Sequence, residues 1–273
     1  MFGKRRLFVI MYFFAAAILM LTLTGDGSKA LQRMSGMNYS KVELSAPEIS
    51  AVRTEVVLMN DTPWETTLYK ITAPVKGPTV MVIGGIHGDE PAGIFAADEV
   101  STWVIDRGTL LVLPRANIPA IKEELRNAPG EADLNRVFPG DFAANAVDKM
   151  AAEIIKIIIE YEPVWVIDLH EAEYCERVLP GALGQSLLYP RKAGSMDIVE
   201  EVQTIVNRSI YNEDKHFMLL RGVVLGSAVK GALLAGSEAM IVETCEQMPL
   251  EDRIQYQLHV VSALLYTLGI TVY

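Results

Sequence analysis

The sequence predicts an α/β fold with a mixed, mainly parallel sheet carrying helices on both faces. Short apolar runs rich in β-formers end in polar residues at Thr79–Ile83, Thr109–Leu113, Pro163–Ala172 and Ala239–Thr244. Helical stretches at Ala92–Val104 and Ala146–Tyr161 lie between them, the alternation of strands with covering helices. Polar and glycine residues gather where the strands end, the place where open α/β sheets hold their chemistry.

The 273-residue chain begins with Lys4, Arg5 and Arg6, then an uncharged run over 7–24. A basic flank before such a run reads as an export signal or membrane anchor, residues 1–30. Its eighteen residues lie between the usual signal-peptide core and a full span, so cleavage and retention both stay open. In either case the basic end stays cytoplasmic and the rest lies outside. Residues 31–50 are polar and irregular and read as a tether, leaving 51–273 as one domain.

Charge narrows the partners. The first 30 residues carry +3 (Lys4, Arg5, Arg6 and Lys29 against Asp26), so with a chain total of −10 the remainder carries −13. A surface that acidic excludes nucleic acid as the expected partner.

Taken in order, Ala51–Met59 and Glu65–Ala73 read as an antiparallel hairpin around Asn60-Asp61-Thr62-Pro63. Lys76-Gly77-Pro78 leads into the strand at 79–83. Its exit is Gly84-Gly-Ile-His87-Gly-Asp89-Glu90-Pro-Ala-Gly93. His87 and Glu90, three residues apart between glycines, form either a pair of metal ligands or an ordinary polar loop. Pro91 then opens a helix. A rigid polar loop, Pro114–Ala120, follows the next strand.

Downstream comes Asp133-Leu-Asn135-Arg136-Val-Phe-Pro-Gly140. An Asn beside an Arg on an ordered loop can grip a carboxylate, which implies a substrate with a free carboxylate. His170 and Glu243 stand at the ends of two later strands. Leu250–Leu268 reads as an amphipathic helix. His216 and His259 match no motif and read as structural.

The stretch 84–93 resembles the first zinc-ligand motif of the zinc carboxypeptidase superfamily, in its succinylglutamate desuccinylase/aspartoacylase branch. Three further signals follow in the same order: Asp133-x-Asn-Arg, His170 and Glu243. The resemblance spans about residues 65–250 and implies a three-layer sandwich and a hydrolase. It implies one Zn²⁺ held by His87, Glu90 and His170, with a fourth position left for water. Asp133 would bond the far nitrogen of His87. Asn135 and Arg136 would hold the substrate carboxylate. Arg126 would steady the oxyanion, with Arg115 as competitor. Glu243 would be the base, ahead of Glu246.

Only thirty residues follow Glu243, too few for the extra β domain of aspartoacylase, so an open groove suited to peptides is expected. The expected activity is therefore that of an extracytoplasmic metallocarboxypeptidase. N-acyl amino acid deacylation is the alternative, and a non-catalytic peptide-binding module at the membrane surface the third reading. The two cysteines, Cys175 and Cys245, each lie just past a strand end bordering the site. They form either a disulfide or two buried thiols.

Overall fold

The computed structural model describes residues 51–175, 179–190 and 195–273. The expectations for residues 1–30 and 31–50 lie outside the described residues. Among the described residues, no helix is long and apolar enough to cross a membrane.

Among the described residues, eight strands form one sheet: β1 Val52–Leu58, β2 Thr66–Thr72, β3 Val75–Ile83, β4 Arg107–Leu113, β5 Trp165–Ala172, β6 Ser186–Tyr189, β7 Met218–Arg221 and β8 Glu238–Cys245. Their order is β1-β2-β4-β3-β5-β8-β6-β7. The β3–β4, β3–β5, β5–β8 and β6–β7 pairs are parallel, and the β1–β2, β2–β4 and β6–β8 pairs are antiparallel. The expected mixed sheet and its opening hairpin are thus present.

Among the described residues the helices are α1 Pro91–Val100, α2 Ile118–Glu123, α3 Ala146–Tyr161, α4 Ser195–Ser209, α5 Ala228–Leu234 and α6 Leu250–Thr267, with single 3₁₀ turns at Leu134–Arg136 and Glu213–Lys215. Strand alternation divides the core in two. Val80, Val82, Ile167 and Val242 pack under α1, α4 and α6. Met81, Ile83, Val166 and Ile241 pack under α3 and α5. The central strands are apolar on both faces because both are covered.

Several boundaries differ from the sequence reading. The third strand starts at Val75 rather than Thr79, since Val75 pairs with Arg107 across an irregularity. The first helix stops at Val100, where Ser101 and Thr102 turn back onto Asp98 and Glu99 through their hydroxyls. Pro114–Ala120 is partly helical: Asn117 caps α2 by accepting the Ala120 N–H. His170 lies inside β5 rather than at its exit, because pairing with β8 runs on to Ala172 and Cys245.

The topology places the chemistry. From β3 the chain moves to β4 on one side, then crosses to β5 on the other. The ends of β3 and β5 therefore flank a point where the winding reverses, and a crevice opens there.

Candidate metal centre and its cavity

The turn that carries the first two donors is held from behind. Asn117 donates from Nδ2 to the Ile86 carbonyl, and its N–H bonds the Gly85 carbonyl. A Cβ on Gly88 would lie 2.2 Å from the Ala120 carbonyl, so only glycine lets the turn press against α2. The polar loop noted in the sequence is thus the buttress of the turn.

His87, Glu90 and His170 converge, all buried. His87 Nδ1 is 2.6 Å from Glu90 Oε1, His170 Nδ1 is 2.7 Å from Glu90 Oε2, and the two Nδ1 atoms are 3.1 Å apart. The far ring nitrogens each face a carboxylate: His87 Nε2 is 3.1 Å from Asp133 Oδ1, and His170 Nε2 is 3.0 Å from Asp168 Oδ2. A proton held on each far nitrogen leaves two lone pairs and a carboxylate aimed at one point. Two nitrogens and one oxygen in that arrangement fit Zn²⁺, which such sets bind tetrahedrally with one place open.

Electrostatics agrees. Burial alone would push both imidazoles down. Asp133 and Glu90 outweigh it at His87, and Asp168 and Glu90 at His170, so both titrate above the usual histidine range. Burial would raise Glu90 and Asp133, yet the neighbouring imidazoles hold both well below the carboxylate range. The cluster is built around positive charge, and a cation can supply it in place of the imidazole protons.

A cavity of about 420 Å³ opens over these donors, lined also by Arg126, Arg136, Glu243 and Glu246. Glu243 is paired in register with His170 across β5 and β8, which puts it beside the donors. Its Oε2 is buried without a hydrogen-bond partner, and burial pushes the carboxyl up to about 8. Arg126 donates to Asp133 Oδ2 at 3.0 Å and reaches Glu90 Oε1 at 3.5 Å. Arg115 is elsewhere, paired with Asp98 outside this cavity, which leaves Arg126 as the arginine of that pair at the donors. Arg136 donates to the Asn135 carbonyl and keeps half its side chain exposed at the cavity wall.

Asn135 also lines the cavity, beside Arg136. Its Oδ1 accepts the Ala228 N–H at 3.0 Å, and its Nδ2 lies 3.3 Å from His170 Nε2. With the proton of His170 Nε2 turned to Asp168, only the Oδ1 end of the amide is engaged, and the amino group stays at the cavity wall beside Arg136. Glu246 reaches the cavity but is exposed, and Glu243 is the buried carboxylate beside the donors.

Asp168 escaped the sequence reading as a partner of His170. Its signal is spacing: two residues before His170 on a strand is the same face. Cys175 and Cys245 form a disulfide. His216 bonds the Ile210 carbonyl and His259 approaches Ser209, both away from the cavity.

Residues 76–205 match the family model of the Succinylglutamate desuccinylase/Aspartoacylase catalytic domain. The N-alpha-acetyl-L-2,4-diaminobutyric acid deacetylase of Halomonas elongata is 29% identical over 134 residues, 47% of this chain and 39% of that protein. Apo Cell Shape Determinant protein Csd4 from Helicobacter pylori superposes with a TM-score of 0.67 at 19% identity, covering 82% of this chain and 56% of that one. Its mDAP-bound form, described as a D,L-carboxypeptidase, gives 0.63 at 21% identity over 72% and 52%. Succinylglutamatedesuccinylase/aspartoacylase from Rhodobacter sphaeroides gives 0.60 at 18% identity over 81% and 66%. At these identities the solved structures bear on the fold. The chain spans about two fifths of the deacetylase and just over half of the Helicobacter protein.

Proposed function

We propose that this chain, which falls in the succinylglutamate desuccinylase/aspartoacylase-like branch of the zinc carboxypeptidase-like superfamily, is a Zn²⁺-dependent hydrolase acting on peptides as a carboxypeptidase. It cleaves an amide bond beside a free carboxylate. The observation that carries the reading is the convergence of His87, Glu90 and His170 under a cavity that also presents a buried, unpaired Glu243.

When bound by those three residues, Zn²⁺ would acidify water and polarise the scissile carbonyl. The protein's own groups do the rest. Arg136 at the cavity wall receives the substrate carboxylate. Arg126, held toward the donors by Asp133, faces the oxygen on which charge develops. Glu243 accepts a proton from the attacking water and delivers it to the leaving nitrogen. Burial raises the Glu243 carboxyl in the metal-free site, and a bound dication beside it would favour the carboxylate that serves as base.

The location of the reaction follows from the uncharged run near the N-terminus: the catalytic domain works outside the cytoplasm, secreted or anchored. The Cys175–Cys245 bond supports an oxidising compartment. Deacylation of an N-acyl amino acid is the second reading, favoured by the deacetylase relative.

A panel of short peptides and N-acyl amino acids incubated with the zinc-loaded chain decides between them. Release of a terminal amino acid, absent in Glu243→Gln, supports the carboxypeptidase. Release of an acyl group alone selects the deacylase, and no turnover by zinc-loaded protein would sink both.

A further inference from the structure

Behind the donors, side chains that the chemistry does not use tie the C-terminal helix to the ligand turn. Glu171 follows His170 on β5. Its N–H donates to Glu90 Oε2 at 3.1 Å, and its own Oε2 accepts the Ala92 N–H at 2.7 Å. One residue thus grips the turn on both sides of Pro91, at the side chain of Glu90 and at the backbone two residues on.

The other oxygen of Glu171 is paired with Arg253 of α6, in a contact where the Glu171 side chain is fully buried and that of Arg253 nearly so. Four residues further along α6, Gln257 is also fully buried. Its Nε2 donates to the His170 carbonyl at 3.0 Å and to Thr244 Oγ1 at 2.9 Å. Residues four apart share a helix face, so Arg253 and Gln257 form a polar pair on a helix that otherwise packs through Val260, Val261, Leu264 and Leu265. A buried ion pair is a weak source of stability compared with apolar packing of the same shape. Its position here, one bond away from two metal donors, gives it another use.

We propose that Arg253 is a positioning residue for the metal centre: by holding the Glu171 side chain against the Ala92 N–H it fixes the turn that carries Glu90, and so sets how tightly, and in what geometry, the three donors take a divalent cation. Arg253 touches neither substrate nor metal. It acts through Glu171, with Gln257 holding the neighbouring His170 carbonyl from the same helix. The inference rests on the metal-centre reading of the site.

The test uses the full chain in mild detergent. Zn²⁺ affinity is read by competition with a chromophoric chelator, and the geometry of the site by the visible absorption of the Co²⁺-loaded protein. In Arg253→Met and Glu171→Gln, Zn²⁺ should bind about 10–100-fold more weakly, the usual effect of losing a group that orients a ligand. The Co²⁺ spectrum should change in both, and Arg253→Lys should recover part of the loss.

If Arg253→Met fails to fold, Glu171→Gln, which keeps the side chain's shape, decides alone. A pair that merely braced the fold would lower the melting temperature equally with and without metal. Affinity within twofold of the parent and an unchanged Co²⁺ spectrum would overturn the proposal. If the parent itself bound no divalent cation, the metal-centre reading would fall with it. If the parent bound and hydrolysed while the variants matched it, only this proposal would fall.

Discussion

Glu243 and Asn135 show what a single residue's neighbours add to its identity. Both were legible as chemistry-bearing side chains, one at a strand end and one beside an arginine. The structure leaves Glu243 buried at the cavity with Oε2 lacking a partner, whereas the Asn135 amide is fixed through Oδ1 on the Ala228 N–H with its amino group at the cavity wall. Glu243→Gln should therefore lower turnover by about 10²–10⁴-fold while Zn²⁺ binding stays, checked by kinetics beside metal analysis. Arg136→Ala should act mainly on KM, since the group it would hold lies away from the bond that breaks. A loss confined to kcat would reassign Arg136. His87, Glu90 and His170 could be found because the stretches around them resemble the ligand motifs of one family in the same order, each after an apolar run. The anchoring of Asn135 Oδ1 could not, because the N–H it accepts belongs to Ala228, ninety-three residues away, and is a backbone amide. Asp168 was within reach of the two-residue strand period, and an apolar strand context hid it.

At the level of elements, the long segments were readable and the short ones were not. α3 spans Ala146–Tyr161 as its composition suggests, and α6 ends one residue before the expected Leu268. β6 and β7 are four residues each, at the far side of the sheet, and neither has a run long enough to declare itself. Close approach between elements is equally silent in sequence until the backbones are placed. A Cβ on Gly93 would sit 2.6 Å from the Leu169 carbonyl, so α1 can pack on β5 only with glycine there. Gly93→Ala should cost about 1–3 kcal/mol and weaken metal binding, because α1 and β5 carry Glu90 and His170 at their edge; a thermal melt and a chelator titration together check it. The Cys175–Cys245 bond closes a separation of 70 residues, for which the chain-entropy model gives about 4 kcal/mol. Replacing both cysteines by serine should lower the melting temperature and reduce turnover, since Cys245 lies two residues from Glu243 on β8. Equal melting of the two proteins would mean the bond does not constrain the unfolded chain.

For the whole molecule, the fold class was written in the alternation of strands and helices, but the pairing of β3 with β5, which places the donors together, emerges only from the sheet order. That convergence links the metal to both stability and pH. In the metal-free protein Glu90, Asp133 and Asp168 keep the two imidazoles protonated to higher pH than a free histidine. A cation must displace those protons, so its apparent affinity should fall as pH drops from 8 to 6 and rise again on return. The sign follows from the raised imidazole pKa values: below them protons win the nitrogens, above them the lone pairs are free. Competition with a chelator at the two pH values reads it directly. The same binding should stabilise the fold, because the unfolded chain does not hold together three donors that come from one turn and one strand. At a thousandfold excess of Zn²⁺ over its dissociation constant the gain is about 4 kcal/mol. For a domain of this size that corresponds to roughly 8–16 °C in melting temperature, and it should shrink at pH 6 as the imidazoles take their protons back. A zinc-dependent shift that grew on acidification would mean that the donors bind the ion through groups other than His87 and His170.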